Sequence, residues 1–419
     1  MKIITLTEEQ FDNYVINHGN KSAYQSSSYG RLMQRHGFKA HYVGLVDGNQ
    51  TIHAAALILY RHIIRGLKYA YTPRGFIIDY NDTALLKLFT MKLKRLLWKQ
   101  GFVFIKIDPF IVYQKLSPTG EVIDAPNTTI INALKKLGYV HCGLNKYFEA
   151  LKPRTNAILT WYKTPEELFK TLSKKTQANI RKAISKGITI HKGDRNEIEI
   201  LYNMIKNKVP RRKLNYYFDY YDIYKEKNMI DIYYAKLNPA ILLQNARDLY
   251  DNESAHNNAL VEAIQKNNDD NLIDKKIKSD ELLNIYKKNV LEATQLFNQY
   301  PEGLIIATSL VINYNQSVYF LLDGYNPKFK KLNASHLLKW LIIAEYIEKG
   351  YHHINLNGIS CNLEPKSKYD GLNQFKLRFG STATELIGEF DLPLNGLIYF
   401  FFNKIKILNK MLLKTIKKS

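Results

Sequence analysis

The chain has 419 residues and carries 60 Lys+Arg against 38 Asp+Glu, a net charge of +22. Its length exceeds one ordinary domain, and 46% apolar with 12% aromatic residues excludes a disordered chain. Two cysteines, Cys142 and Cys361, exclude a disulfide scaffold and a cysteine-rich zinc site.

The opening Met1-Lys2-Ile3-Ile4 lacks the apolar stretch of a cleaved leader, and the apolar runs 54–60 and 397–402 are far short of the roughly 20 residues that span a bilayer. A reducing, cytoplasmic protein is expected. A basic surplus of this size attracts nucleic acid, nucleotide phosphates or an anionic membrane, although a genome biased toward lysine codons produces the same count. The surplus is uneven: residues 240–300 hold 7 basic and 10 acidic side chains.

In chain order, Ala54-Ala55-Ala56-Leu57-Ile58-Leu59 reads as a buried strand. Residues 67–71 form the next strand, ending at Pro73-Arg74-Gly75. An amphipathic helix follows over about 83–100, stopped by Gly101, and then a strand over 102–107 ending at Asp108-Pro109. The same order recurs later. Residues 305–312 and 318–322 are strands, 333–349 a helix stopped by Gly350, and 352–356 a strand ending at Asn357-Gly358. Agreement of element order, length and stop signals argues for two copies of one α/β unit with a mixed sheet.

Between the copies the pattern predicts a helical hairpin over about 240–268 and 276–300, roughly 40 Å long. Leu283, Tyr286, Val290, Ala293 and Phe297 form a heptad seam in its second half. In the first half Leu242, Ala246, Leu249, Glu253, His256, Leu260 and Ala263 occupy the seam, with 267–271 as the turn. Upstream, Thr164-Pro165-Glu166-Glu167 caps a helix whose face then carries Lys174, Lys175, Arg181, Lys182 and Lys186. A run of five cations without an acid favours phosphate contact over an idle solvated face. Residues 397–419 contain six lysines and no acid. There Phe401, Ile405, Leu408 and Leu412 oppose Asn403, Lys406, Lys410, Lys414 and Lys417, which fits either an interfacial helix or a helix packed on the body.

No P-loop, HExxH, GxSxG or paired cysteines appear. No metal site is expected, since the adjacent His352 and His353 would point to opposite sides of a strand. The residues that become recognisable lie in both halves. They are Gln25-Ser26-Ser27, Pro73-Arg74-Gly75, Ile107-Asp108-Pro109 and Lys175-Thr176 through Asn179-Ile180-Arg181-Lys182-Ala183. Later come Asn357-Gly358-Ile359-Ser360, Gly371-Leu372-Asn373-Gln374-Phe375-Lys376-Leu377-Arg378-Phe379-Gly380 and Gly388-Glu389-Phe390-Asp391. Over essentially its whole length the chain resembles the Fem family, peptidyltransferases that add cross-bridge amino acids to peptidoglycan precursors from aminoacyl-tRNA.

The resemblance implies an α/β (α+β) fold of two acetyltransferase-like (GNAT) domains with an inserted antiparallel coiled-coil arm. Domain 1 would span 1–150, completed by about 388–419; domain 2 would span 151–387, with the arm at 240–300. It implies Lys376 and Asp108 as catalytic residues, the first for charge stabilisation and the second to accept or hold the amine proton. Phe375, Arg212, Tyr216, Arg35 and Arg74 would bind substrate, and the basic helix Lys174, Lys175, Arg181, Lys182, Lys186 would bind tRNA. Where the family often carries a lysine that holds the precursor's nucleotide or diphosphate, this chain has Met33, with Arg31 and Arg35 near it.

No cofactor is implied beyond aminoacyl-tRNA as donor. The acceptor would be lipid II or a UDP-linked muropeptide, with peripheral contact at the inner membrane surface as a further expectation. Two rival readings are a coenzyme A-dependent N-acyltransferase of the same fold and a non-catalytic RNA-binding scaffold.

Overall fold

The computed structural model describes residues 1–64, 66–208, 212–267 and 269–402. Among them the strands form two mixed sheets. The first has the order Lys2–Thr5, Lys39–Val46, Ile52–Ile64, Leu67–Thr72, Phe102–Ile107, Phe390–Pro393, Val140–His141. The second has the order Val112–Leu116, Thr382–Leu386, Thr155–Thr160, His353–Ile359, Ser317–Tyr325, Leu304–Tyr314, Ile230–Leu237, Ile188–Gly193.

The repeated element order has the same pairing in both sheets. Ile52–Ile64 runs antiparallel to Leu67–Thr72, the helix Thr83–Lys99 crosses over, and Phe102–Ile107 returns parallel to Leu67–Thr72. Leu304–Tyr314, Ser317–Tyr325, the helix Ala334–Glu348 and His353–Ile359 repeat it. Asp82 caps the first crossover helix by accepting from Leu85 N, and Leu86, Phe89, Leu93 and Leu97 bury one face, the 3–4 spacing of a helix on a sheet. Gly101 and Gly350 end the two helices at φ +80° and +81°, a conformation that costs a residue with Cβ about 1–2 kcal/mol.

The copies differ at the parallel pair. Pairing runs from Lys68 through Thr72 in the first sheet, but in the second it stops after Ser317↔His353, Val318↔Ile354 and Tyr319↔Asn355. Beyond that point the Asn357 side chain bridges the gap, donating to Leu321 O at 3.0 Å.

One apolar cluster joins the halves: Leu32, Met33, Tyr42 and Leu57 pack with Tyr217, Tyr220, Tyr224, Leu310 and Ile312. The chain also exchanges strands. Phe390–Pro393 enters the first sheet between Phe102–Ile107 and Val140–His141, while Val112–Leu116 pairs with Thr382–Leu386 in the second. Lys106 fixes the first exchange, its Nζ lying 2.7 Å from Asp391 and 3.3 Å from Glu389, all nearly buried. Arg154 and Glu385 form a second buried ion pair at 3.1 Å.

Two long antiparallel helices, Pro239–Lys266 and Asp270–Gln299, leave the second sheet. The second starts at Asp270 rather than 276, because Asp269 caps it by accepting from Asn271 N. On the predicted seam Ala293 is buried and Leu283, Tyr286, Val290 and Phe297 are half-buried. In the first helix Leu249 and His256 are exposed, and the inward positions are Leu242, Leu243, Ala246, Asn257 and Leu260. Asn257 is tolerated there because it donates to Ser279 Oγ at 3.1 Å and Asp280 Oδ1 at 2.8 Å, while Ser279 donates to Glu253. The predicted single basic helix is two, Pro165–Thr171 and Lys174–Ser185. Leu172 is extended and Ser173 caps a new start by accepting from Thr176 N.

Candidate active site

The first half builds its contribution around the turn at Arg74. Gln25 is fully buried, accepts from Leu57 N at 2.8 Å and donates to Pro73 O at 2.7 Å, clamping the turn to a central strand. A Cβ on Gly75 would lie 2.6 Å from Thr72 Cγ2 and 3.0 Å from Gln25 Cδ, so only glycine fits beneath the clamp. Arg74 is left-handed at φ +53° and is held there by Asp108, whose Oδ1 accepts from Arg74 N at 2.7 Å and from the Tyr71 hydroxyl at 3.1 Å. The Arg74 guanidinium donates to Pro153 O at 2.8 Å and sits 3.4 Å from Asp108 Oδ2. Burial pushes the Asp108 carboxyl up, against the pull of Arg74 and Lys152. Asp108 Oδ1 is thus taken by two hydrogen bonds and positions Arg74, while the buried Oδ2, 3.4 Å from the Arg74 guanidinium, accepts none.

Arg74 opens onto a cavity of about 30 Å³ between the halves, roughly the space of one water. Tyr24 and Phe110 line it from one side; Lys152, Tyr319, Asn355 and Asn357 line it from the other. Burial raises the Tyr24 and Tyr319 phenols to about 12, so both stay neutral donors. Lys152 lies with its Nζ 3.4 Å above the Tyr24 ring and 3.4 Å from the Tyr29 hydroxyl. Burial lowers its ammonium to about 7; Asp108 opposes the shift, and Arg74 and Arg212 add to it. Sequence reasoning missed Lys152. It stands in a loop before Pro153, and only tertiary contacts with Tyr24 and Tyr29 mark it.

Lys376 comes from a helix of the second half. It lies in the last turn of the helix Asp370–Leu377, buried, and donates to Gly358 O at 2.9 Å. Burial lowers its ammonium to about 7, with Asp323 raising it and Lys339 lowering it. The Nζ thus anchors the segment after Asn357, a left-handed residue (φ +70°) that faces the cavity. Phe375 packs edge-on against His336 and Phe379 rather than lining the cavity.

Of the remaining predicted residues, Arg212 lies close enough to act on the Lys152 ammonium and Tyr216 on the Tyr24 and Tyr29 phenols, whereas Arg35 and the basic helix do not line the cavity. Met33 is buried in the shared core, so its position does not face a ligand. Arg35 pairs with Asp219 at 2.8 Å, and Arg31 with Glu8 and Glu226, which occupies both guanidinium groups. Arg212 covers the half-buried Tyr216 ring at 4.2 Å. Lys174, Lys175, Arg181 and Lys182 are exposed and Lys186 is half-buried; among the described residues none of the five has a carboxylate within 4.0 Å. In the C-terminal face, Phe401 is exposed, while Asn403, Ile405, Lys406, Leu408, Lys410, Leu412, Lys414 and Lys417 lie outside the described residues.

The fold is a mixed two-sheet scaffold with a cavity between its halves, lined by Tyr24, Arg74, Lys152 and Tyr319. The sequence pattern of the FemAB family matches residues 6–407, and the chain belongs to that family and is an aminoacyltransferase. It is 24% identical to the aminoacyltransferase FemA of Staphylococcus epidermidis over 419 residues, covering 98% of this chain and 100% of that one. It is 26% identical to FemB of the same species over 421 residues, covering 98% and 100%. It is 22% identical to FemA of Staphylococcus aureus over 415 residues, covering 97% and 98%. The crystal structure of FemX has the same fold, with a TM-score of 0.73 at 20% identity, covering 96% of this chain and 99% of that one.

Proposed function

We propose that the chain transfers an amino acid from the ester of aminoacyl-tRNA to a stem-peptide amine of a peptidoglycan precursor, extending the interpeptide bridge. The observation that carries this reading is the chain-long similarity to FemA and FemB. Ester to amide is downhill, so the enzyme needs orientation, a neutral amine and stabilisation of the carbonyl oxygen rather than a covalent intermediate. Arg74, with Tyr24 and Tyr319, would hold the acceptor amine at the mouth of the cavity, and Lys376 would serve the donor end. The unpaired cations of Lys174–Ser185 would contact tRNA phosphates. The test is to incubate the protein with charged tRNAs and with lipid-linked and UDP-linked acceptors, with and without RNase. Transfer that survives RNase overturns the donor assignment and favours the coenzyme A reading.

The twin acetyltransferase-like architecture belongs to this proposal. The repeated pairing supports it, as does Phe390–Pro393 completing the first sheet; Val112–Leu116 lies across the proposed 1–150 boundary. The helices Pro239–Lys266 and Asp270–Gln299 would act as a coiled-coil arm. Deleting 240–300 with a short loop between the flanking strands is expected to leave a folded body, read by circular dichroism, with weakened donor recognition. Unchanged transfer and unchanged tRNA affinity would remove the arm from that role.

The acceptor in this reading is the lipid-linked precursor. Leu397, Phe400 and Phe401 support this choice: they are exposed, at 76%, 53% and 62%, just before the lysine-rich end. Each lysine near an anionic surface contributes about 1 kcal/mol. The full chain is expected to bind anionic vesicles over neutral ones, and a chain ending near Asn395 to lose that preference. Equal binding to both vesicles, with faster transfer to the UDP-linked acceptor, would overturn this choice.

A further inference from the structure

We propose that the Lys152 side-chain amine is the base that takes the proton from the acceptor ammonium. The inference rests on the transfer reading above. The reaction consumes a neutral amine, whereas a stem-peptide amine at neutral pH is mostly ammonium. One proton must leave before the nitrogen lone pair can attack. Asp108 is poorly placed for this, since Oδ1 already accepts two hydrogen bonds and Oδ2 faces Arg74. Lys152 differs because it lines the cavity with its Nζ 3.4 Å above the Tyr24 ring and 3.4 Å from the Tyr29 hydroxyl, and with no carboxylate within 4.0 Å among the described residues.

The surroundings keep that amine uncharged part of the time. The charged groups acting on it are Arg74 and Arg212, which disfavour the ammonium, and Asp108, which favours it. The Tyr24 and Tyr29 rings pack against it, and Tyr319 shares the cavity; burial raises all three phenols, so none supplies a counter-charge. With burial as the largest influence, Lys152 titrates near 7, where a base is most effective.

The step balances. The acceptor ammonium gives one proton to Lys152 Nζ, and the freed nitrogen bonds to the ester carbonyl carbon. The bond from that carbon to the ribose oxygen breaks, the second N–H proton goes to the departing oxygen, and Lys152 returns its proton to solvent.

Two measurements on the full-length protein test this. In the first, competitive acetylation with acetic anhydride from pH 5 to 10, read by peptide mass mapping, is expected to show Lys152 titrating near 7. A midpoint near 10 overturns the proposal whatever the transfer assay gives. In the second, Lys152→Met is expected to lower kcat at pH 7 by about 100-fold or more, with KM for aminoacyl-tRNA within about twofold. Its rate should then climb with pH through 9 as the substrate amine deprotonates unaided. Lys152→Arg, a permanent cation, should not restore the rate. A wild-type pH profile in Lys152→Met, or rescue by arginine, overturns the proposal by showing a structural or purely electrostatic role. A wild-type protein that transfers nothing to any acceptor, with Lys152 titrating near 7, overturns the transfer reading and this step with it.

Discussion

Lys376→Met is expected to lower transfer by one to several orders of magnitude, each tenfold corresponding to about 1.4 kcal/mol in the barrier, in a protein that remains folded. The Nζ is buried and donates to Gly358 O, at the point where Ser317–Tyr325 and His353–Ile359 have separated. Methionine fills the same volume but leaves that carbonyl without its donor and removes the local positive charge. Asn357, which faces the cavity one residue earlier, loses its support. Arginine is too large for a site only 8% exposed, so Lys376→Arg should not recover the rate. Single-turnover transfer from preformed aminoacyl-tRNA is the measurement, with near-ultraviolet circular dichroism as the folding control. A folded Lys376→Met protein working at the wild-type rate would remove Lys376 from the reaction.

Lys106→Met should instead cost stability, about 3–5 kcal/mol near neutral pH. Burial alone disfavours the Lys106 ammonium, but Asp391 and Glu389 more than offset it, so its proton is held more tightly than usual. Because the folded-state affinity is raised, the contribution is complete below the ordinary lysine range and is lost only above it. From pH 5 to 9 the wild-type cluster is therefore constant. Without the cation, two nearly buried carboxylates lose their shared partner. Urea unfolding at pH 7.5 checks this; a deficit below about 1 kcal/mol would mean that the cluster does not secure the exchanged strand.

The repeated units were legible because their signals are local. Strand runs, an amphipathic face at Leu86, Phe89, Leu93 and Leu97, and glycines forced to positive φ at 101 and 350 each act within a few residues. The arm's inner face was legible only in part. A strict heptad drifts from the 3.6-residue turn, which led to Leu249 and His256, while the buried Asn257 was disguised by its polarity. The break at Leu172 was signalled by Ser173 but masked by continuous basic spacing. At the site, Arg74 and Asp108 stood out through their motifs, yet their dependence on each other did not. Lys152 was invisible because its meaning comes from Tyr24 and Tyr29, over 120 residues away in the chain. Lys376 was found by motif, but nothing local reveals that its amine is buried against Gly358 O.

Phe390–Pro393 lies between Phe102–Ile107 and Val140–His141. A ribosome that has just finished residue 141 has made both neighbours of a strand that does not yet exist. At about 5–20 residues per second, its arrival takes on the order of tens of seconds. Throughout that interval the nascent first half carries an open, apolar strand edge at Phe102–Ile107, whose residues are all buried in the finished protein. Completion of the N-terminal sheet is thus timed by the C-terminal codons, and truncation shortly before residue 390 would strand the first half in its unfinished form.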